Sequence, residues 1–144
     1  MLFYKNSIYL KYMEIEKIFK NLILIDFAIL ILIVISSMYQ SNEINQINQN
    51  LEKGLLDYYE NFSKIISLIL FFLYLFTLNL LYRFISYGKQ LYLFLVISAL
   101  LLNYFNGSVV NTSFGSVIDQ VGGMVSGAIL ILLYFSPIKN NFAK

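Results

Sequence analysis

The sequence predicts an all-α membrane protein: a bundle of four transmembrane helices with both termini cytoplasmic. Four long apolar runs predict it, at residues 18–39, 63–83, 86–105 and 117–135. A helix rises ~1.5 Å per residue, so about 20 apolar residues cross the ~30 Å hydrocarbon core of a bilayer. Hydrophobic residues fill 59% of the 144 positions, more than one small core buries in water. No internal repeat or domain boundary is evident, so a single membrane domain is expected.

The positions of the ten basic residues predict the orientation of the spans. Eight lie before or at the start of the first run, around the turn between the second and third, or after the fourth, whereas Lys53 and Lys64 lie at the opposite ends. Lys and Arg are enriched on the cytoplasmic side, which places residues 41–62 and 106–116 outside. Tyrosines cluster at the span ends, as at membrane interfaces, with only Tyr74 in mid-span. Four lysines lie before or at the start of the first run, which is interpreted as an uncleaved anchor.

A short amphipathic helix is expected in the first external loop. Apolar residues recur there every three or four positions, with Asn, Gln and Glu between them. This stripe comprises Ile44, Ile47, Leu51, Leu55, Tyr58 and Phe62. It is typical of a helix that leans on the membrane face or on the top of the bundle, and a cap that binds a partner or ligand is the alternative.

Asp26 is the main functional candidate, because an ionisable group inside a span is costly. It lies five residues after Asn21, roughly 8 Å along the helix from the cytoplasmic end. Asn79 in the second span has a similar depth, which favours a hydrogen bond between the two side chains, with Arg83 or Lys20 as counter-charge. Two alternatives stay open: Asp26 carries a proton or cation, or it faces lipid and snorkels or is protonated.

A second group of polar residues lies at the external ends of the third and fourth spans. It comprises Asn103, Asp119 and Gln120. We expect a helix N-terminus to explain Asp119, because the free N–H groups and the macrodipole there stabilise a carboxylate.

The fourth span carries small residues at three- and four-residue spacing, namely Gly122, Gly123, Ser126 and Gly127. Small residues let helix backbones approach closely in lipid, and Gly123 with Gly127 forms a GxxxG pair. Packing within the chain is the favoured interpretation, and contact with a second subunit is the alternative.

The composition and charge of the chain exclude several classes of function. Cys and His are absent, which excludes disulfides, thiol redox chemistry, Cys/His metal sites and His-dependent nucleophiles. No catalytic residue, metal or cofactor is predicted, and a net charge of +2 does not indicate nucleic acid.

We therefore expect a non-enzymatic, multi-pass protein of a bacterial inner (plasma) membrane. It would be an accessory, immunity-type or complex subunit that contacts the lipid bilayer and a second copy or another membrane protein. The alternative is a small oligomeric channel or proton- or cation-coupled transporter that uses Asp26 and Asp119. A membrane enzyme that acts on lipid through carboxylate, Tyr, Ser or Lys side chains is a third hypothesis.

Overall fold

A computed structural model of the chain describes residues 2–39, 42–51, 60–105 and 110–142. These residues form α-helices, a short 3₁₀ helix and turns, with no strand among them. The elements are α1 (Leu2–Met38), α2 (Asn42–Asn50), α3 (Glu60–Tyr82), α4 (Ser86–Phe105), α5 (Ser113–Phe135) and the 3₁₀ helix (Pro137–Phe142).

Four of these helices are long and apolar enough to cross a membrane, as the sequence predicts. The candidate spans are Met13–Met38, Lys64–Tyr82, Ser86–Phe105 and Ser113–Phe135. Large apolar side chains are exposed on all four, for example Ile31 (44%), Phe72 (61%), Leu100 (66%) and Ile131 (60%). Soluble monomers rarely expose such a continuous apolar surface, whereas lipid covers it without cost. The chain is therefore a multi-pass membrane protein.

Three helices begin earlier than their apolar runs, and for α3 the difference is only the three residues from Glu60. Helix α1 starts at Leu2, and the whole of Leu2–Met38 contains no glycine or proline to interrupt it. Helix α5 starts at Ser113 because Thr112 caps it: the Thr112 hydroxyl accepts a hydrogen bond from the Gly115 N–H at 2.9 Å.

Helix α2 covers the first part of the predicted amphipathic stripe. Its Asn48 side chain pairs with the backbone of Val110, donating to the carbonyl at 3.0 Å and accepting from the N–H at 2.8 Å. This pair joins α2 to the segment that leads into α5. The later stripe positions Leu55 and Tyr58 lie outside the described residues.

The turn between α3 and α4 places a phenylalanine where helices usually have glycine. The Ile85 N–H donates to the Leu80 carbonyl at 3.0 Å, and Phe84 adopts a left-handed backbone with φ 57°, the geometry of a Schellman turn. That conformation costs ~1–2 kcal/mol for a residue with a Cβ. Aromatic packing offsets the cost, because the Phe84 ring lies 5.7 Å from that of Phe19 and 5.3 Å from that of Phe142.

The main hydrophobic core lies at the end of the bundle where the 3₁₀ helix meets α1. There the ring of Phe142 packs edge-on against that of Phe19, with 6.0 Å between centroids. The buried members of this core are Phe19, Ile23, Leu78, Leu81, Tyr92, Ile129, Leu133, Ile138 and Phe142. They come from four helices and the 3₁₀ helix, so this end of the bundle fixes how the helices are arranged around Asp26.

Helices α1 and α5 stay in close contact beyond this core. A Cβ at Gly122 would lie 3.2 Å from Cγ2 of Ile29, and one at Gly115 would lie 3.1 Å from Oγ of Ser36. Glycine at these two positions of α5 therefore allows the two backbones to pack along most of their membrane-spanning length.

Candidate functional site

Asp26 is a buried carboxylate that connects all four candidate spans. Its side chain on α1 is 3% exposed, which contradicts the lipid-facing alternative. Oδ2 accepts hydrogen bonds from the hydroxyl of Tyr74 on α3 at 2.5 Å and from that of Tyr92 on α4 at 3.0 Å. Oδ1 accepts from the hydroxyl of Ser126 on α5 at 3.4 Å. We call these four residues the Asp26 hub.

Helical spacing brings each member of the hub to the interior. On α1, the buried residues Phe19, Ile23, Asp26 and Ile29 recur every three or four positions and form one stripe. Equivalent stripes are Tyr74, Leu78 and Leu81 on α3 and Ser126, Ile129 and Leu133 on α5. The polar residues therefore continue the stripes that form the core.

The two tyrosines of the hub also contact each other. The ring centroids of Tyr74 and Tyr92 are 5.8 Å apart and their hydroxyl oxygens 3.5 Å apart. A phenol suits this position because its ring packs with apolar neighbours while its hydroxyl reaches the carboxylate. Within the described residues every buried side-chain nitrogen and oxygen has a hydrogen-bond partner. The hub is thus a satisfied polar network inside an apolar bundle.

Hydroxyl groups, rather than a basic side chain, are the described partners of the Asp26 carboxylate. The Lys20 ammonium lies 2.8 Å from Oε1 of Glu16, and Arg83 is exposed. The predicted counter-charge from Lys20 or Arg83 is therefore wrong. Three oriented hydroxyl dipoles take its place.

The predicted hydrogen bond between Asp26 and Asn79 is also wrong. Asn79 is exposed on α3, and Tyr74, five residues earlier, is the α3 residue that bonds to Asp26. Five residues correspond to about 140° around a helix, so these two positions face different neighbours. Similar depth in the membrane is not sufficient for contact.

The polar residues predicted at the external ends remain separate from the hub. Asn103, Asp119 and Gln120 are all exposed, and an oxygen of Asp119 accepts a hydrogen bond from the Asn111 amide at 2.9 Å. The N-cap of α5 is Thr112, seven residues before Asp119. The helix-start explanation of Asp119 is therefore wrong.

The small residues of α5 fall on two different sides of the helix. Gly122 faces α1 at the close approach to Ile29, and Ser126 belongs to the hub, as packing within the chain predicts. Among the described residues, no atom comes within 4 Å of a Cβ placed at Gly123 or Gly127. For this GxxxG pair the favoured interpretation, packing within the chain, is wrong.

Both hub tyrosines were missed by the sequence analysis. Tyr92 lies near a predicted span end, where an interfacial role explains a tyrosine equally well. Tyr74 did carry a usable signal, because a phenol hydroxyl in mid-span needs a hydrogen-bond partner and Asp26 is the ionisable residue of the neighbouring span.

The chemistry available at the hub is that of one carboxylate and three hydroxyls. In the described part of the chain, no group of three or more His, Cys, Asp or Glu side chains is placed to hold a metal ion. The chain matches no protein-family model, no curated protein and no solved structure. Any assignment of function therefore rests on the arrangement of the described residues.

Proposed function

We propose that this is a small polytopic inner-membrane protein that acts non-enzymatically, through protein–protein contacts, as an accessory, immunity-type or complex subunit. One observation carries the proposal: α5 has a small-residue surface on which no described residue packs. We call this surface, formed by Gln120, Gly123 and Gly127, the open face of α5.

The open face combines two features that favour helix association in lipid. Gln120, Gly123 and Gly127 are spaced by three and four residues, so they lie on one side of the helix. The two glycines let another backbone approach closely, and the exposed Gln120 amide supplies hydrogen-bonding groups that hydrocarbon cannot satisfy. A partner helix would bury both features together.

A second copy of the chain is the simplest partner for this surface. Small-xxx-small faces are self-complementary, and two-fold contacts of a surface with itself are the commonest form of oligomer. The Asp26 hub supports such a role indirectly, because its bond to Ser126 fixes the rotation of α5 and so keeps the open face directed outward.

Photo-crosslinking from the open face tests the proposal. A photoreactive residue at Met124 or Ile131, which flank the glycines and are 75% and 60% exposed, should form adducts with protein in intact membranes. Adducts with a second copy would have twice the 16.7 kDa mass of the chain. The matched control is Phe72 on α3, which is 61% exposed and should react with lipid. Lipid adducts alone at all three positions would overturn the proposal.

The proposed orientation, with both termini cytoplasmic, is supported by the charges of the described residues. The end of the bundle near the 3₁₀ helix carries the exposed Lys17, Arg83 and Lys139. The opposite end carries the acidic residues Glu43 and Asp119, and among the residues described there Lys64 is basic. The basic end is the one that the positive-inside rule assigns to the cytoplasm.

A second candidate is a small oligomeric channel or a proton- or cation-coupled transporter. Asp119 and Ser126 are seven residues apart, so they lie on the same side of α5, two turns or ~10 Å apart along its axis. The exposed carboxylate is thereby aligned with the hub. For a transporter, Asp26→Asn should fold normally yet abolish proton or cation flux into vesicles that contain the full chain. Absence of flux in the wild type, or equal flux in the variant, would reject this candidate.

A further inference from the structure

We propose that a groove between α1 and the end of α3 binds an anionic phospholipid by its headgroup phosphate. The groove has a volume of about 350 Å³, within the range of small-ligand sites. It lies at the basic end of the bundle, on a different helix from the open face of α5. The residues that carry the proposal are Lys17, Lys20, Asn21, Leu24 and Tyr82.

The top of the groove presents hydrogen-bond donors to an anion. Lys17 and Asn21 are exposed on successive turns of α1, and four-residue spacing places them on one face. Lys20 is held in position, because its ammonium contacts Glu16 at 2.8 Å and lies 5.6 Å from the ring centroid of Tyr82. The ammonium groups of Lys17 and Lys20 outnumber the carboxylate of Glu16. The groove therefore has a net positive charge, which suits a phosphate diester.

The lower part of the groove is apolar and opens to the bilayer. Leu24 lines it and is 54% exposed, and Phe27, which lies outside the groove one turn further along α1, is 43% exposed. Leu24 lies seven residues, or ~10 Å, beyond Lys17 along the helix. The groove therefore changes from cationic to apolar over the distance between the headgroup and the first acyl carbons of a lipid.

This polarity gradient favours a lipid over a soluble anion. A free phosphate would contact only the upper residues, whereas a phospholipid also covers Leu24 and Phe27. The groove lies on the turns of α1 where Lys17 and Lys20 give way to the apolar run that follows Asn21. It therefore lies at headgroup depth, where lysines bind the phosphates of anionic leaflets.

Lipid retention by the full chain tests the proposal. The protein is reconstituted in vesicles of phosphatidylglycerol and phosphatidylcholine in equal parts, and bound lipid is measured by native mass spectrometry. Wild type should retain phosphatidylglycerol in excess of its share. Lys17→Gln should lower that excess about fivefold, whereas Lys17→Arg should preserve it. Lys139→Gln removes an exposed cation at the same end but outside the groove and should leave the excess unchanged.

Asn21→Ala gives a second, uncharged test of the same groove and should also reduce the excess, with helix content unchanged by circular dichroism. Equal losses in Lys17→Gln and Lys139→Gln would indicate general attraction to the leaflet and overturn the proposal. Displacement of the lipid by inorganic phosphate would assign the groove to a soluble anion, and displacement by poly-glutamate would assign it to an acidic protein segment. Either of these two results also overturns it.

Discussion

Asp26→Leu is expected to weaken the association of the four spans while making their insertion into the membrane easier. On insertion scales, replacing Asp by Leu near the middle of a span is favourable by ~3 kcal/mol, and by less nearer the interface. The same change removes the acceptor of the hub bonds from Tyr74, Tyr92 and Ser126. Interhelical hydrogen bonds in membranes contribute ~0.6 kcal/mol on average and ~1.7 kcal/mol at most, so the loss of three should destabilise the folded bundle by about 2–5 kcal/mol.

The two effects can be measured separately. Membrane fractionation reports insertion, and unfolding of the purified chain in mixed detergent micelles reports helix association. Asp26→Asn retains an acceptor oxygen for the hydroxyls and should lose less than about 1 kcal/mol. Asn103→Leu is the control, because it likewise replaces a polar side chain in a span by leucine, but at an exposed position that does not touch the hub. Unfolding of Asp26→Leu at wild-type detergent concentrations would contradict a structural role for the hub.

Gly122→Leu is expected to force α1 and α5 apart. Even a Cβ at this position would lie 3.2 Å from Cγ2 of Ile29, so the remaining atoms of leucine have no space between the helices. Overpacking of this kind costs ~1–3 kcal/mol and occasionally more. The free energy of unfolding in mixed micelles should fall by about 3 kcal/mol, the upper part of that range. Combining Gly122→Leu with Ile29→Ala should restore part of the loss.

Gly123→Leu and Gly127→Leu are the matched controls for this prediction. No described atom lies within 4 Å of a Cβ at either position, and leucine favours a helix over glycine by ~0.8 kcal/mol. Both variants should therefore fold at least as well as wild type, while they lose association through the open face of α5. Equal destabilisation by leucine at positions 122, 123 and 127 would contradict the division of α5 into two sides.

The number of candidate spans could be predicted because the bilayer imposes a minimum apolar length. Helix α4 has the predicted bounds, Ser86–Phe105. The start of α5 differs because a single polar cap, Thr112, determines it, and hydropathy does not detect caps. Hydropathy reports how far a segment can extend through lipid, and local backbone hydrogen bonds decide where the helix begins.

Which face of each span points inward could not be predicted, and the errors at the site follow from this. In a soluble helix the polar face identifies the exterior, but in a membrane both the lipid-facing and the core-facing residues are apolar. Asn79 and Tyr74 were therefore indistinguishable as partners of Asp26, although they face different directions. Gly122 and Gly123 differ by about 100° around α5, which is enough to place one against α1 and the other against lipid.

Single-cysteine labelling measures most directly whether the chain crosses the membrane four times with both ends inside. The chain has no native cysteine, so each introduced thiol reports alone, and Gln46, Ser113, Tyr87 and Lys139 are all exposed. An impermeant maleimide should label Gln46→Cys and Ser113→Cys in intact cells, and Tyr87→Cys and Lys139→Cys only after permeabilisation. Labelling of Tyr87→Cys and Lys139→Cys in intact cells, or of Gln46→Cys without Ser113→Cys, would contradict this topology.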